Sequence, residues 1–138
     1  MKENCCCSGH HEKGVTIPEK NSCCADYHCP VEATLALVGG KYKALILWKL
    51  IPAPMRFSEL RRAVPGATPK MLTQQLRELE ADGLVHREIF PVVPPRVEYS
   101  LTPFGQTIRP VLESIYAWGT GYLEHRGIKA SCSMEPLP

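Results

Sequence analysis

The sequence predicts a mainly helical α+β domain that contains one β-hairpin and closes with a long helix. Three observations carry that prediction. Helix candidates with capping residues follow one another from Val31 to Asp82, and two of them are joined by a tight Pro65-Gly66 turn. After Gly83 the apolar period switches to two in Leu84–Phe90 and again in Arg96–Thr102, with the proline-rich PVVPP between them. Helical spacing then returns from Pro103 to Arg126. Helix, helix, helix-turn-helix, hairpin and helix in that order make a winged helix-turn-helix, with a two-stranded wing and flanking helices suited to dimerisation.

Each element has a local cause. Val31–Val38 (VEATLALV) has Pro30 for its first turn and Gly39-Gly40 for its end. The second helix, Lys41–Ile51, carries Leu45, Ile46, Leu47, Trp48 and Leu50 and is nearly all apolar, with Lys41, Lys43 and Lys49 expected at its margins. Pro52 and Pro54 stop it, because proline lacks the amide N–H that a helix needs. In RFSELRRAVPG, Ser58 is expected to cap the short helix ELRRAV. Thr68 and Pro69 make a stronger start, a good N-cap followed by a residue suited to the first helical position, and that helix runs to Asp82.

With 138 residues, 44% of them hydrophobic, the chain has material for one compact core and some left over at its ends. Residues 1–28 read as a flexible Cys/His-rich tail, 29–127 as the folded domain and 128–138 as a second tail. No apolar run is long enough to span a membrane, and MKENCCCSGHHEK lacks the apolar stretch of a signal peptide, so a cytoplasmic location is expected. The formal net charge of +2 says little about partners. Its distribution says more: Lys41, Lys43, Lys49, Arg56, Arg61 and Arg62 are set against a single acid, Glu59, between positions 41 and 62.

The Thr68–Asp82 helix is the informative one. Leu72, Leu76 and Leu79 fall in one stripe that buries it on its own domain. The opposite face carries Lys70, Thr73, Gln74 and Arg77, the donors, acceptors and cations that a DNA major groove accepts. An isolated helix of this kind would be no more than a solvated face. Here Arg61 and Arg62 precede it and Arg96 follows near the hairpin tip, where DNA backbone and minor groove would lie, so the combination points to DNA binding.

The stretches CPVEATLALVGGKYKALILWKL, RFSELRRAVPGATPKMLTQQLRELEADGLVHRE and PPRVEYSLTPFGQTIRPVL together resemble the HxlR family of bacterial winged-helix transcription regulators over roughly residues 29–126. Tyr42 stands where that family usually has tryptophan, a swap that keeps an aromatic core anchor. The resemblance implies a homodimer on a palindromic operator, with Thr68–Asp82 as the reading helix and Leu84–Thr102 as the wing.

In the last helix Ile108, Val111, Ile115, Trp118 and Tyr122 recur at spacings of three and four, a seam suited to a partner helix. A second stripe, Leu112, Tyr116 and Leu123, is available for the domain's own core, so the helix is expected to serve both core and dimer.

Seven cysteines in a reducing compartment read as thiols rather than as a disulfide framework. Cys29 opens the first helix, where free N–H groups and the helix dipole favour a thiolate. The alternative is a cysteine that simply packs. The resemblance points to sensing, since some members use a cysteine at the CPVE position to detect quinones, aldehydes or hypochlorite. Oxidation would link Cys29 to a second Cys29, to Cys23 or Cys24, or to a small thiol.

The rival is metal binding by the tail, where Cys7, His10, Cys24 and His28 have workable spacings for zinc or copper(I). Cys132 receives no role. A thiol oxidoreductase would need Cys-x-x-Cys beside a βαβ unit, and neither occurs, so no enzyme is expected. A winged helix used only for protein contacts is the remaining alternative, and it leaves Lys70, Gln74 and Arg77 without a purpose.

Overall fold

The computed structural model describes residues 29–130 and 135–138. Cys7, His10, Cys23, Cys24, His28 and Cys132 lie outside the described residues.

The chain folds as α1 (Pro30–Val38), α2 (Lys43–Leu50), β1 (Met55–Arg56), α3 (Phe57–Ala63), α4 (Pro69–Ala81), β2 (Val85–Phe90), β3 (Arg96–Leu101), α5 (Pro103–Gln106) and α6 (Arg109–His125). This is the winged helix-turn-helix order, with α3 and α4 as its two central helices. Ile46, Leu47 and Leu50 of α2 meet Leu60 of α3, Leu72, Leu76 and Leu79 of α4, and Leu112 of α6 in one buried cluster. Fully burying each such side chain contributes roughly 1.5–3 kcal/mol, which is why the leucine stripe of α4 fixes that helix's orientation. Tyr42 is buried beside them and its hydroxyl donates to the Gly66 carbonyl at 2.7 Å, tying the α1–α2 connection to the turn ahead of α4.

Several sequence expectations need correction. The second helix begins at Lys43, not Lys41, because Tyr42 has a non-helical backbone (φ −121°, ψ −3°). Lys43 is buried rather than marginal. Ser58 does not cap the third helix; α3 starts at Phe57, and the free Arg56 N–H donates to the Glu59 carboxylate at 2.7 Å. The wing is also larger than a hairpin. Residues 55–56 add a third antiparallel strand in the order β1-β3-β2, with Met55 opposite Tyr99 and Arg56 opposite Glu98. Two residues between Pro54 and α3 are too few to show a period of two.

Strand β2 departs from the expected alternation: Val85 is buried, and His86 through Ile89 are exposed. Its base is held by Thr102, whose hydroxyl donates to the Gly83 carbonyl at 2.5 Å and accepts the Gly105 N–H at 2.9 Å. Gly83, at φ +78°, ends α4 in the left-handed region that glycine adopts without strain.

The expected long helix is two. Pro110 has no N–H to offer the Gln106 carbonyl and its ring crowds the preceding turn, so α5 stops at Gln106 and α6 starts afresh at Arg109. Ile108 consequently packs against the core and leaves the outer stripe assigned to it. On α6, Leu112 is buried and the Tyr116 ring stacks on Trp48 with centroids 4.8 Å apart. Residues 135–138 return to this corner: Trp48 Nε1 donates to the Glu135 carbonyl at 3.0 Å, Leu137 packs on the core, and Arg109 donates to the Pro138 carbonyl.

Candidate nucleic-acid interface

The face of α4 away from the leucine stripe is built from its first turn onward. Thr68 is extended at the N-cap and its hydroxyl accepts the Met71 N–H at 3.2 Å, with Pro69 in the first helical position. Lys70, Gln74 and Arg77 are then exposed along one side. Thr73 is half-buried, and its hydroxyl donates to the Pro69 carbonyl at 2.7 Å, so its proton is already committed.

Gln74 is not a free side chain. Its Nε2 donates to Glu78 Oε1 at 3.1 Å, while Glu78 Oε2 lies 2.8 Å from the Lys43 ammonium. Hydrogen bonds from Lys43 first and Gln74 second hold the Glu78 carboxyl below the usual glutamate range, partly offset by its desolvation. Glu78 was not among the expected site residues. A signal for it existed: it stands one helical turn after Gln74, where side chains on one face meet. Lys43, counted with the basic surface, is a buried partner of this group and not an exposed cation.

Arg61 and Arg62 sit exposed in the last turn of α3, where cations complement the helix C-terminus. They border a shallow concavity of about 560 Å³ that runs past Phe57, Pro65 and Pro69 to the start of α4. Arg96 opens β3 and is half-buried: its guanidinium lies 5.0 Å from the Phe90 ring centroid and 3.0 Å from Glu98. Its charge is thus shared within the wing, whose tip exposes Val92 and Val93. Arg87 of β2, which the sequence reading passed over, is exposed and pairs with Glu80 of α4 at 3.7 Å. Tyr99, opposite Arg87 on β3, is buried, and that burial pushes its phenol up.

The described structure therefore brings Lys70, Gln74, Arg77, Arg61 and Arg62 to the surface of one helix-turn-helix unit. Exposed cations thus flank a helix whose outer face is polar and basic, the arrangement expected of a DNA-binding transcriptional regulator.

Comparison with known proteins narrows that class. The profile of the HxlR-like helix-turn-helix family matches residues 37–127. The HTH-type transcriptional regulator YdeP of Bacillus subtilis is 53% identical over 94 residues, which cover 68% of this chain and 73% of that protein. Among solved structures, the redox regulator HypR in its oxidized form is 53% identical with a TM-score of 0.65, over 67% of this chain and 96% of that one. The reduced form of the transcriptional regulator YodB from B. subtilis is 33% identical with a TM-score of 0.61, over 71% and 97%. The chain belongs to the HxlR-like helix-turn-helix family and is a DNA-binding transcriptional regulator of that type. Among the described residues no helix is long and apolar enough to cross a membrane.

Proposed function

We propose that the protein is a homodimeric repressor that binds a palindromic operator and whose affinity for DNA is switched by oxidation or electrophilic modification of Cys29. The observation that carries this reading is the position of Cys29. It is exposed at the extended N-cap of α1, and its Sγ accepts the Glu32 N–H at 3.4 Å. A solvent-accessible sulfur with a hydrogen-bond donor already facing it is open to attack on an electrophile. The likeness to HypR, named a redox regulator, supports the same reading.

Two routes are open chemically. The thiolate adds to a quinone or aldehyde, forming a C–S bond while the acceptor takes a proton. Alternatively two thiols become one disulfide, and an oxidant receives two electrons and two protons. The second thiol is a partner's Cys29, Cys23, Cys24 or a small thiol. Either product changes what stands at the start of α1, which packs on α2 and hence on the body that carries α4.

Two copies suit palindromic DNA because paired reading helices about one DNA turn apart supply affinity that one does not. The exposed Val111, Ile115, Trp118 and Tyr122 of α6 are apolar surface of the kind a partner covers. Repression rather than activation follows from economy, since occupying a promoter requires no further protein.

The test is fluorescence anisotropy on the gene's own upstream DNA at fixed salt, reduced against oxidant-treated, with Cys29→Ser alongside. Affinity lost on oxidation only when Cys29 is present supports the switch. Affinity indifferent to oxidant but altered by zinc or copper(I) moves the switch to the tail with Cys7, His10, Cys24 and His28. No salt-dependent affinity at all overturns DNA binding in favour of a protein-interaction module.

A further inference from the structure

We propose that Glu78, itself held by Lys43, is a positioning residue that fixes which edge of the Gln74 amide faces DNA, so that Gln74 reads the exocyclic amine of adenine or cytosine. The inference rests on DNA reading by α4.

The geometry leaves little freedom. The Lys43 side chain is 9% exposed and an ammonium only donates, so Glu78 Oε2, 2.8 Å away, must accept from it. Glu78 Oε1 lies 3.1 Å from the Gln74 amide. With the carboxylate ionised, both of its oxygens are acceptors, and the Gln74 group that faces it has to be the NH2. Turning the amide over would set oxygen against oxygen. Gln74 Oε1 is then the fixed outward acceptor, and it carries no hydrogen bond among the described residues. In the major groove adenine N6 and cytosine N4 donate, whereas guanine N7 and O6 and thymine O4 accept. An acceptor held outward therefore selects the amino bases. Adenine and cytosine differ in what the remaining Gln74 N–H meets, since adenine adds an N7 acceptor beside its amine.

Lys43 and Glu78 thus tie specificity to the interior. The ammonium sits on α2 with its side chain only 9% exposed, yet it fixes the position of the group that orients a base-reading side chain.

Selection of bound duplexes from a random-sequence pool by the full-length protein tests this, with Gln74→Ala, Glu78→Gln and Glu78→Ala in parallel and thermal melting to confirm that each folds. For the wild type, one position in each half-site is expected to prefer adenine or cytosine by roughly tenfold; which of the two is enriched shows whether N7 is also read. Gln74→Ala flattens that position and leaves the others. In Glu78→Gln the new amide must keep its oxygen toward Lys43, so its NH2 faces Gln74 and the Gln74 amide turns over; guanine and thymine, which offer acceptors, are gained, and cytosine, which offers none, is lost. Glu78→Ala releases the amide and the position accepts all four bases. A purely structural Glu78 would weaken binding to every sequence alike without moving the preference. The proposal is overturned if both Glu78 variants retain the wild-type preference, if the wild type prefers guanine or thymine there, or if Gln74→Ala changes no position. A wild-type protein that enriches no sequence removes sequence reading altogether, a distinct outcome that takes this proposal with it.

Discussion

The Lys43 ammonium stands 2.8 Å from the Glu78 carboxylate, with 9% of the lysine side chain exposed against 39% of the glutamate's. The pair joins α2 to α4 across the edge of the core. Its two halves are unequal, because losing the exposed acid strands a buried cation, whereas losing the cation leaves an acid that water still reaches. Glu78→Ala is therefore expected to destabilise by about 1–3 kcal/mol, and Lys43→Met by less, since methionine keeps the buried methylenes and carries no charge. Urea midpoints for the two variants check the order. Equal losses, or a larger loss for Lys43→Met, would show that the pair does not act this way.

The same pair sets a pH dependence. The Glu78 carboxyl is held below its ordinary value of 4.5 in the folded protein, chiefly by Lys43. Its contribution is therefore complete above that ordinary value and is lost as pH falls through the lower folded value. Wild-type stability should fall more steeply than that of Glu78→Gln as pH drops below 4.5. Parallel slopes in urea melts stepped through that range would assign the acid sensitivity to other carboxylates.

At the base of the wing, Thr102 bonds both Gly83 and Gly105. Thr102→Ala removes an N-cap and should cost about 1–2 kcal/mol. Gly105→Ala should cost more, because a Cβ there would meet the Leu84 carbonyl oxygen at 2.1 Å and backbone has to move. Thermal melts of the two variants, read alongside hydrogen exchange of β2 amides, report whether the loss is local to the wing.

These relationships mark how far the sequence could be read. Helix α4 was legible because Thr68, Pro69 and the three leucines each act within one helix, through capping and burial that depend on sequence neighbours. The outward set of Lys70, Gln74 and Arg77 followed from the same wheel. The break at Pro110 was legible in principle, but the apolar spacing on both sides masked it. Strand β1 was not, since two residues show no period, and Met55 and Arg56 become a strand only because Tyr99 and Glu98 lie beside them. Lys43 was misplaced for a related reason. A lysine in an apolar run reads as marginal unless its partner is known, and Glu78 is 35 positions away in sequence. Long-range pairing, not local chemistry, decided both.

On DNA, Lys70 and Arg77 should separate by salt and by sequence. Lys70 stands in the first turn of α4, where an ammonium suits phosphate; Arg77 lies two turns on, where a planar guanidinium suits guanine. Lys70→Ala is expected to weaken binding similarly on all duplexes and to reduce the slope of log affinity against log salt by about 1. Arg77→Ala should cost roughly 1–3 kcal/mol on the preferred site and relax one base position. Salt titrations on preferred and scrambled duplexes distinguish the two. If both variants lose affinity alike on both duplexes, α4 contacts backbone only.

The final prediction concerns α6. Its inner residues Leu112 and Tyr116 contact the core, whereas Ile115 and Trp118 are 50% and 74% exposed, and Trp118 stacks on Tyr122 with centroids 5.6 Å apart. Two neighbouring rings in near-parallel contact form a flat apolar surface with no covering among the described residues. If a second copy covers it, Trp118→Ala should weaken self-association by tenfold or more, as loss of an aromatic interface anchor typically does at about 2 kcal/mol. Ile115→Glu should do the same by placing a charge in an apolar contact. Neither side chain belongs to the core, so the monomer's fold should survive, visible as an unchanged circular dichroism spectrum. Light scattering across a concentration series gives the answer. A mass that halves on substitution, with operator affinity falling in step, places the dimer on this face. An unchanged dimer mass in both variants puts the partner elsewhere, and a monomeric wild type at micromolar concentration removes the dimer itself.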